Sequence, residues 1–283
     1  MVSIFDIIRG SNPYVGTLLE RKSFMFNLNL GLLQYLTDNI LKESWQYYAL
    51  YITFVVAGIA IAYLLGSVNT AIVISKMFYH DDIRNYGSGN AGLTNMLRTY
   101  GKGAAVMTLL GDMLKTALAI FITGLLLGFH YTGGISLNDG YCYVAGLFAV
   151  VGHVFPVYYG FKGGKGVLVT ATMALILTPI PFLFLLAIFI AVVAVSKYVS
   201  LGSVIAAVLY PVIVNGYIKI AFSAQSPAIL ALCTILLAIF IVWCHRGNLQ
   251  RISDRTERKI SFKKKEKEPL AEEKSETDGK DEE

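Results

Sequence analysis

The sequence is poor in charge. Asp, Glu, Lys and Arg make up 15% of its 283 residues, while 55% are hydrophobic. A soluble domain carries about 25% charged residues, so the polar coat that keeps a globule in water is missing. Cysteine is scarce too: Cys142, Cys233 and Cys244 are odd in number, lie in apolar runs and form no CxxC pair, which suggests neither a zinc site nor a disulfide framework. There is no G-x-S-x-G nucleophile elbow and no Asp-rich cluster suited to Mg²⁺ and a diphosphate. An H-x-x-x-x-D dyad is absent, because the residues five after His80, His130, His153 and His245 are Asn85, Ile135, Tyr158 and Gln250. Asp6 interrupts the first apolar stretch, so the N-terminus does not read as a secretory signal. These absences exclude a soluble Rossmann enzyme, a disulfide-stapled secreted domain and a disordered regulator. They indicate no metal, no cofactor and no nucleic-acid partner.

What the chain has instead is long apolar runs, at 49–66, 104–127, 141–159, 166–178, 182–195, 199–218 and 227–244. Most have the roughly 20 residues that a helix needs to cross ~30 Å of hydrocarbon. The stretches 166–178 and 182–195 are shorter and are separated by Pro179-Ile180-Pro181; they read as one kinked helix or as a hairpin. Charge decides between the two. With a hairpin, one set of connections and the C-terminal tail hold 18 of the 24 Lys and Arg residues, and the opposite connections hold only Lys219. The expected fold is therefore an all-α integral membrane protein of seven transmembrane helices, two of them short, with the N-terminus outside and the C-terminus in the cytoplasm. Residues 1–48 form an extension whose Leu33, Leu36, Ile40 and Leu41 share a face, as in a helix lying on the membrane surface. Residues 49–257 form the core. Residues 258–283 form a charged tail with almost nothing to bury, expected to be solvated. Arg246, Arg251, Arg255, Arg258 and Lys259 follow the last span and are expected to face anionic headgroups.

The unusual polar clusters all fall on the face that this count makes cytoplasmic. The first is Gly87-Ser88-Gly89-Asn90-Ala91-Gly92, leading to Asn95, Arg98 and Lys102 on one side of a helix. Its glycines can turn backbone N–H groups into an anion-sized nest, and an arginine fork suits phosphate. The second is His153, followed by Lys162-Gly163-Gly164-Lys165-Gly166 at a helix start, another place for an anion; its spacing is not that of a Walker A loop. Asp112 and Lys115, three residues apart inside a span, can pair as a structural brace. Ser196–Ser200 fills a further turn, and His245, Asn248, Thr256 and Glu257 follow the last helix. Together these features predict two phosphate cradles beside lipid-accessible helices, hence two anionic substrates, at least one of them with an alkyl chain. A transporter for a phosphorylated metabolite is the alternative; it fits less well because the polar groups gather at one face and not at the midplane.

The segments GSGNAGLTNMLRTYGK, GDMLK, GHVFPVYYGFKGGKG, SKYVSLGS and HRGNLQRISDRTE resemble, in order, the signatures of the bacterial acyl-phosphate:glycerol-3-phosphate acyltransferase family. The resemblance implies a seven-helix enzyme of the bacterial plasma membrane with a cytoplasmic active face. Its expected activity is transfer of a fatty acyl group from acyl phosphate to glycerol 3-phosphate, giving lysophosphatidate and inorganic phosphate, the first step of phospholipid synthesis, without a cofactor; no protein partner is inferable. On this resemblance Ser88, Arg98 and Lys162 bind phosphate groups, and Gly87, Gly89, Asn90, Gly92 and Asn95 shape the first loop. Gly163, Gly164, Lys165 and Gly166 complete the second, His153 and Asn248 orient substrate, and Asp112, Lys115 and Glu257 support the site. The mixed anhydride is already activated, so no side-chain nucleophile is needed; His153 as a general base is the rival reading. Gly247, where many members carry an acid, and Leu168, where a small residue is usual, depart from the pattern.

Overall fold

The computed structural model describes residues 31–40, 43–128, 137–222 and 227–260. The charged tail beyond 260 and the first thirty residues lie outside the described residues. The described residues fold as α-helices and two single 3-10 turns, with no strand. In chain order the helices are α1 (Gly31–Asn39), α2 (Ser44–Ser67), α3 (Thr70–Tyr79), α4 (Leu93–Thr99), α5 (Lys102–Leu127), α6 (Leu137–Val154), α7 (Val167–Leu177), α8 (Pro179–Ser196), α9 (Val199–Phe222), α10 (Ala228–Cys244) and α11 (Arg246–Ser253).

Polarity in the bundle is inside out. On α5, Leu110, Leu114, Leu118 and Phe121 are exposed, whereas Thr108, Asp112, Lys115, Thr116 and Thr123 are buried on the other side. In water such a helix would have the wrong face outward; in hydrocarbon the apolar stripe meets solvent of its own kind, and the polar stripe finds partners inside. Five runs of helix are long and apolar enough to cross a membrane, and a sixth is the pair α10–α11, bent by 53°. The helix α7 is apolar but has only 11 residues, about 16 Å of axis. The chain is thus a multi-pass membrane protein.

The helices approach closely where small residues allow it. A Cβ on Gly66 would lie 2.2 Å from the Ala149 carbonyl oxygen, and one on Gly152 would lie 2.2 Å from that of Tyr63, so α2 and α6 meet backbone to backbone. The main core gathers α6, α7, α9 and α10 around Tyr143, Val150, Met173, Val214 and Leu237. At α1 the expectation of a helix is met over Gly31–Asn39, but this helix does not lie alone on a surface. It packs against α5, with Leu33 buried and Gly31 set against Gly128 at the far end of that helix from Lys102.

The pair α7–α8 leaves and returns to the same end of the bundle. Lys165, just before α7, donates to Asn248, and Asn248 donates to Ser200 at the start of α9, 2.9 Å away. A single kinked crossing would have separated these residues by the whole bundle. The polar connections between α3 and α4, α6 and α7, α8 and α9, and after α10 therefore share one end.

Candidate active site

At that end lies a cavity of about 640 Å³. Its polar rim includes Ser88, Asn90, Asn95, Arg98, His153, Lys165, His245, Asn248, Arg251, Glu257 and Arg258. Its other walls are apolar, from Leu109 and Met113 of α5 to α7, Phe182 and Leu185 of α8, and Ala206 and Ala207 of α9.

The first loop is held from beneath by Asn95. This buried amide accepts from the Ser88 backbone N–H at 3.1 Å and donates to the carbonyls of Tyr86, 2.9 Å, and Ile83, 3.3 Å. Gly87 has φ +62°, and a Cβ there would strike the Asn95 side-chain oxygen, so the turn needs glycine. Asn69 caps α3 by accepting from Ile72 N–H and donates to the Ala91 carbonyl. Arg84 forks onto Asp82 and also donates to the carbonyls of Tyr159 and Lys162, joining the two loops. The loops touch directly as well: a Cβ on Gly164 would lie 2.9 Å from the Ala91 carbonyl oxygen and 2.0 Å from His153 Nε2.

Part of the backbone of the two glycine loops is engaged within the fold. The amides of Ser88, Gly89 and Gly92 are spent on Asn95, Tyr86 and Asn90, and those of Gly163 and Gly164 on the Val154 and His153 carbonyls that end α6. A helix leaves its last carbonyls without partners, and here the second loop satisfies two of them. Gly87 and Gly164 serve close approach, and the cations of the site are side chains. Gly89, Gly163 and Gly164 do not line the cavity, whereas Gly87, Gly92 and Gly166 do.

Lys162 also departs from expectation: it is exposed and does not line the cavity. Lys165 does, three residues on, where the turn into α7 points inward. Its ammonium donates to the Asn248 oxygen; burial pushes its pKa down to about 8, with nearby Glu257 opposing the shift. Asn248 in turn donates to Glu257 at 2.7 Å, and Glu257 also accepts from Ser200 at 2.6 Å and from Arg251 at 2.8 Å. Burial raises the Glu257 carboxyl, but these three donors outweigh it and hold the pKa below its ordinary value. Facing this chain is Arg98, half-buried and without an ion pair among the described residues. Burial first, and the positive Arg258 second, disfavour its charge. A cation left unpaired at a cavity rim is a standing invitation to an anion.

Behind the rim stands the Asp112–Lys115 brace. Lys115 Nζ lies 2.9 Å from Asp112, 3.1 Å from the Gly66 carbonyl, 2.9 Å from that of Val68 and 2.9 Å from His153 Nδ1. Asp112 accepts from Thr70 as well. This hub ties α2, α3, α5 and α6 together and closes the C-terminus of α2. The ammonium has three hydrogens for these four partners, and the other ring nitrogen of His153, Nε2, stands beside Gly164.

Sequence reasoning missed the parts of Ser200, Arg251 and Arg258. The two arginines were expected at headgroups but line the cavity. The available signal was Glu257, an acid six residues after Arg251 in a basic stretch.

The family model for glycerol-3-phosphate acyltransferase matches residues 56–255. A glycerol-3-phosphate acyltransferase of Clostridioides difficile is 41% identical over 204 residues, 72% of this chain and 94% of that protein. One from Geobacillus kaustophilus is 40% identical over 202 residues, 71% of this chain and 94% of the other. Among solved structures, PlsY (YgiH), an integral membrane glycerol 3-phosphate acyltransferase, is similar in its glycerol 3-phosphate form, with TM-score 0.62, 30% identity, and 73% and 96% of the two chains covered. Its lysophosphatidic acid form gives TM-score 0.60 and 28% identity, covering 74% and 96%.

Proposed function

Because the chain belongs to the glycerol-3-phosphate acyltransferase family, we propose that it takes the acyl group from an acyl phosphate and releases lysophosphatidate and inorganic phosphate. The observation that carries this reading is the cavity, which joins a cationic rim to apolar walls long enough for an alkyl chain. In the step itself, a glycerol 3-phosphate hydroxyl oxygen bonds to the acyl carbon. The carbon–oxygen bond to phosphate then breaks, and the hydroxyl proton leaves with the departing phosphate. Atoms and charge balance without a protein nucleophile, so the enzyme's share is to hold two anions together, worth several kcal/mol of barrier, and to stabilise the developing oxyanion.

In this reading Arg98, Lys165 and Ser88 grip the phosphate groups, and Asn248, aligned by Glu257, Ser200 and Arg251, holds the Lys165 ammonium in place. His153 orients substrate from Nε2 and is not the base; the reading is supported by the Lys115 ammonium, which stands 2.9 Å from Nδ1 and disfavours a proton there. The membrane is the bacterial plasma membrane, with seven crossings counting α7 and α8 separately and the cavity open to the cytoplasm, as the basic asymmetry of the connections supports.

The test is a product assay with purified protein, palmitoyl phosphate and labelled glycerol 3-phosphate. Arg98→Ala and Lys165→Ala are expected to lose about 10²- to 10³-fold in turnover, and Lys162→Ala far less. Equal losses in the two lysine variants would reject the assignment of Lys165. A wild type that makes no lysophosphatidate from this donor would reject acyl phosphate as the acyl source.

A further inference from the structure

The wall that α9 gives to the cavity changes character along its length. After Val199, the residues facing the cavity are Ser200, Ser203, Ala206, Ala207 and Tyr210, the spacing of one helix face. Four small side chains leave an open channel, and then a large ring ends it. Tyr210 is 2% exposed. One turn further, Val214 is fully buried and packs into the hydrophobic core with Ala174 and Leu185; it does not line the cavity. Ser200 marks the polar end, through its bonds with Asn248 and Glu257. Tyr210 stands ten residues on, ~15 Å along the helix axis. The facing wall has the same direction, since α7 starts beside Lys165 at the rim and its last residue on the cavity is Leu175, close in sequence to Phe182 across the turn.

We propose that Tyr210 is the residue that limits the length of the fatty acyl chain the enzyme accepts. This rests on reading the cavity as the seat of the acyl donor. A chain whose carbonyl sits at the phosphate rim must lie along the Ser203–Ala207 channel, and its terminal methyl meets the Tyr210 ring. Each methylene that does not fit costs discrimination of the order of tenfold or more.

The experiment compares kcat/KM for acyl phosphates from decanoyl to arachidoyl, in the wild type, Tyr210→Ala, Tyr210→Phe and Ala207→Leu. The wild type is expected to show an upper limit of chain length. Tyr210→Ala should raise the ratio of the longest to the shortest donor by about tenfold, and Tyr210→Phe, which keeps the ring, should leave it unchanged. Ala207→Leu, adding bulk one turn nearer the rim, should move the limit to shorter chains. Active Tyr210→Ala protein with the wild-type profile would overturn the proposal while leaving the acyl phosphate reading intact, as would a wild type equally fast with every chain. If Tyr210→Ala does not fold, an unchanged profile in Ala207→Leu overturns it equally. A wild type inactive with every acyl phosphate would instead remove the reading on which the proposal rests.

Discussion

Lys165 is the residue whose chemistry the fold alters most usefully. With its pKa brought down to about 8 by burial, its ammonium is present below that pH and is lost as pH rises through it, well before an exposed lysine would titrate. The expected outcome is a KM for glycerol 3-phosphate that is flat up to about pH 8 and then climbs, with a loss on the scale of one charge-assisted hydrogen bond, about tenfold or more. In Lys165→Arg the guanidinium stays charged, and the alkaline rise should vanish even if turnover is lower at every pH. Steady-state kinetics between pH 6.5 and 9.5 (~three pH units, enough to span the shift) decide it: an unchanged rise in the arginine variant places the titration elsewhere. The sequence made the cluster of Lys162 and Lys165 visible as a pair of cations but not which of them turns inward. That depends on a backbone path through Gly160 and Phe161, both at positive φ, which no spacing rule encodes. Asn95 shows the converse. Its place on the face shared with Arg98 was legible, yet its work is to hold the loop, because its side-chain amide bonds to the Ser88 N–H and to the Tyr86 and Ile83 carbonyls.

At the scale of elements, the two glycine loops and α6 form one unit. Gly164 lies so close to His153 and to the Ala91 carbonyl that any side chain must push the loops apart. Gly164→Ala is therefore expected to abolish activity and to lower the thermal unfolding midpoint in detergent, at a cost of roughly 1–3 kcal/mol from overpacking. Gly103→Ala is the matched control. Gly103 is helical with nothing within 4 Å of a Cβ, so alanine there should be neutral or stabilising by up to ~1 kcal/mol. Equal behaviour of the two variants would remove the close approach as a determinant. The sequence disclosed that glycines cluster at these turns, and the anion-nest reading followed from their spacing. What it could not disclose was the destination of the backbone N–H groups. In the folded chain those of Gly163 and Gly164 close the end of α6, because a helix terminus inside a membrane protein has no water to satisfy it.

For the whole molecule, the decisive question is which end of the bundle faces the cytoplasm. The helical runs were legible because each is a long apolar segment, and the hairpin was legible only through charge. The bonds from Lys165 through Asn248 to Ser200 now support it independently, since they return α8 to the end from which α7 departs. The Lys197 turn, the two loops and α11 then share that end, and Ser44, at the start of α2, lies at the other. The proposed orientation rests on electrostatics: basic connections tend to be retained on the cytoplasmic side during insertion, and Lys197, Lys162 and Arg246 all lie on the side of the cavity. The native Cys142 and Cys233 are buried and Cys244 is half-buried, so new cysteines at exposed sites can be read above a low background. In intact cells a membrane-impermeant maleimide is expected to label Ser44→Cys and to spare Lys197→Cys until the membrane is permeabilised. Labelling of both before permeabilisation would break the crossing count. The reverse pattern would turn the active face outward, away from a supply of phosphorylated substrates, and the charge argument would fail with it.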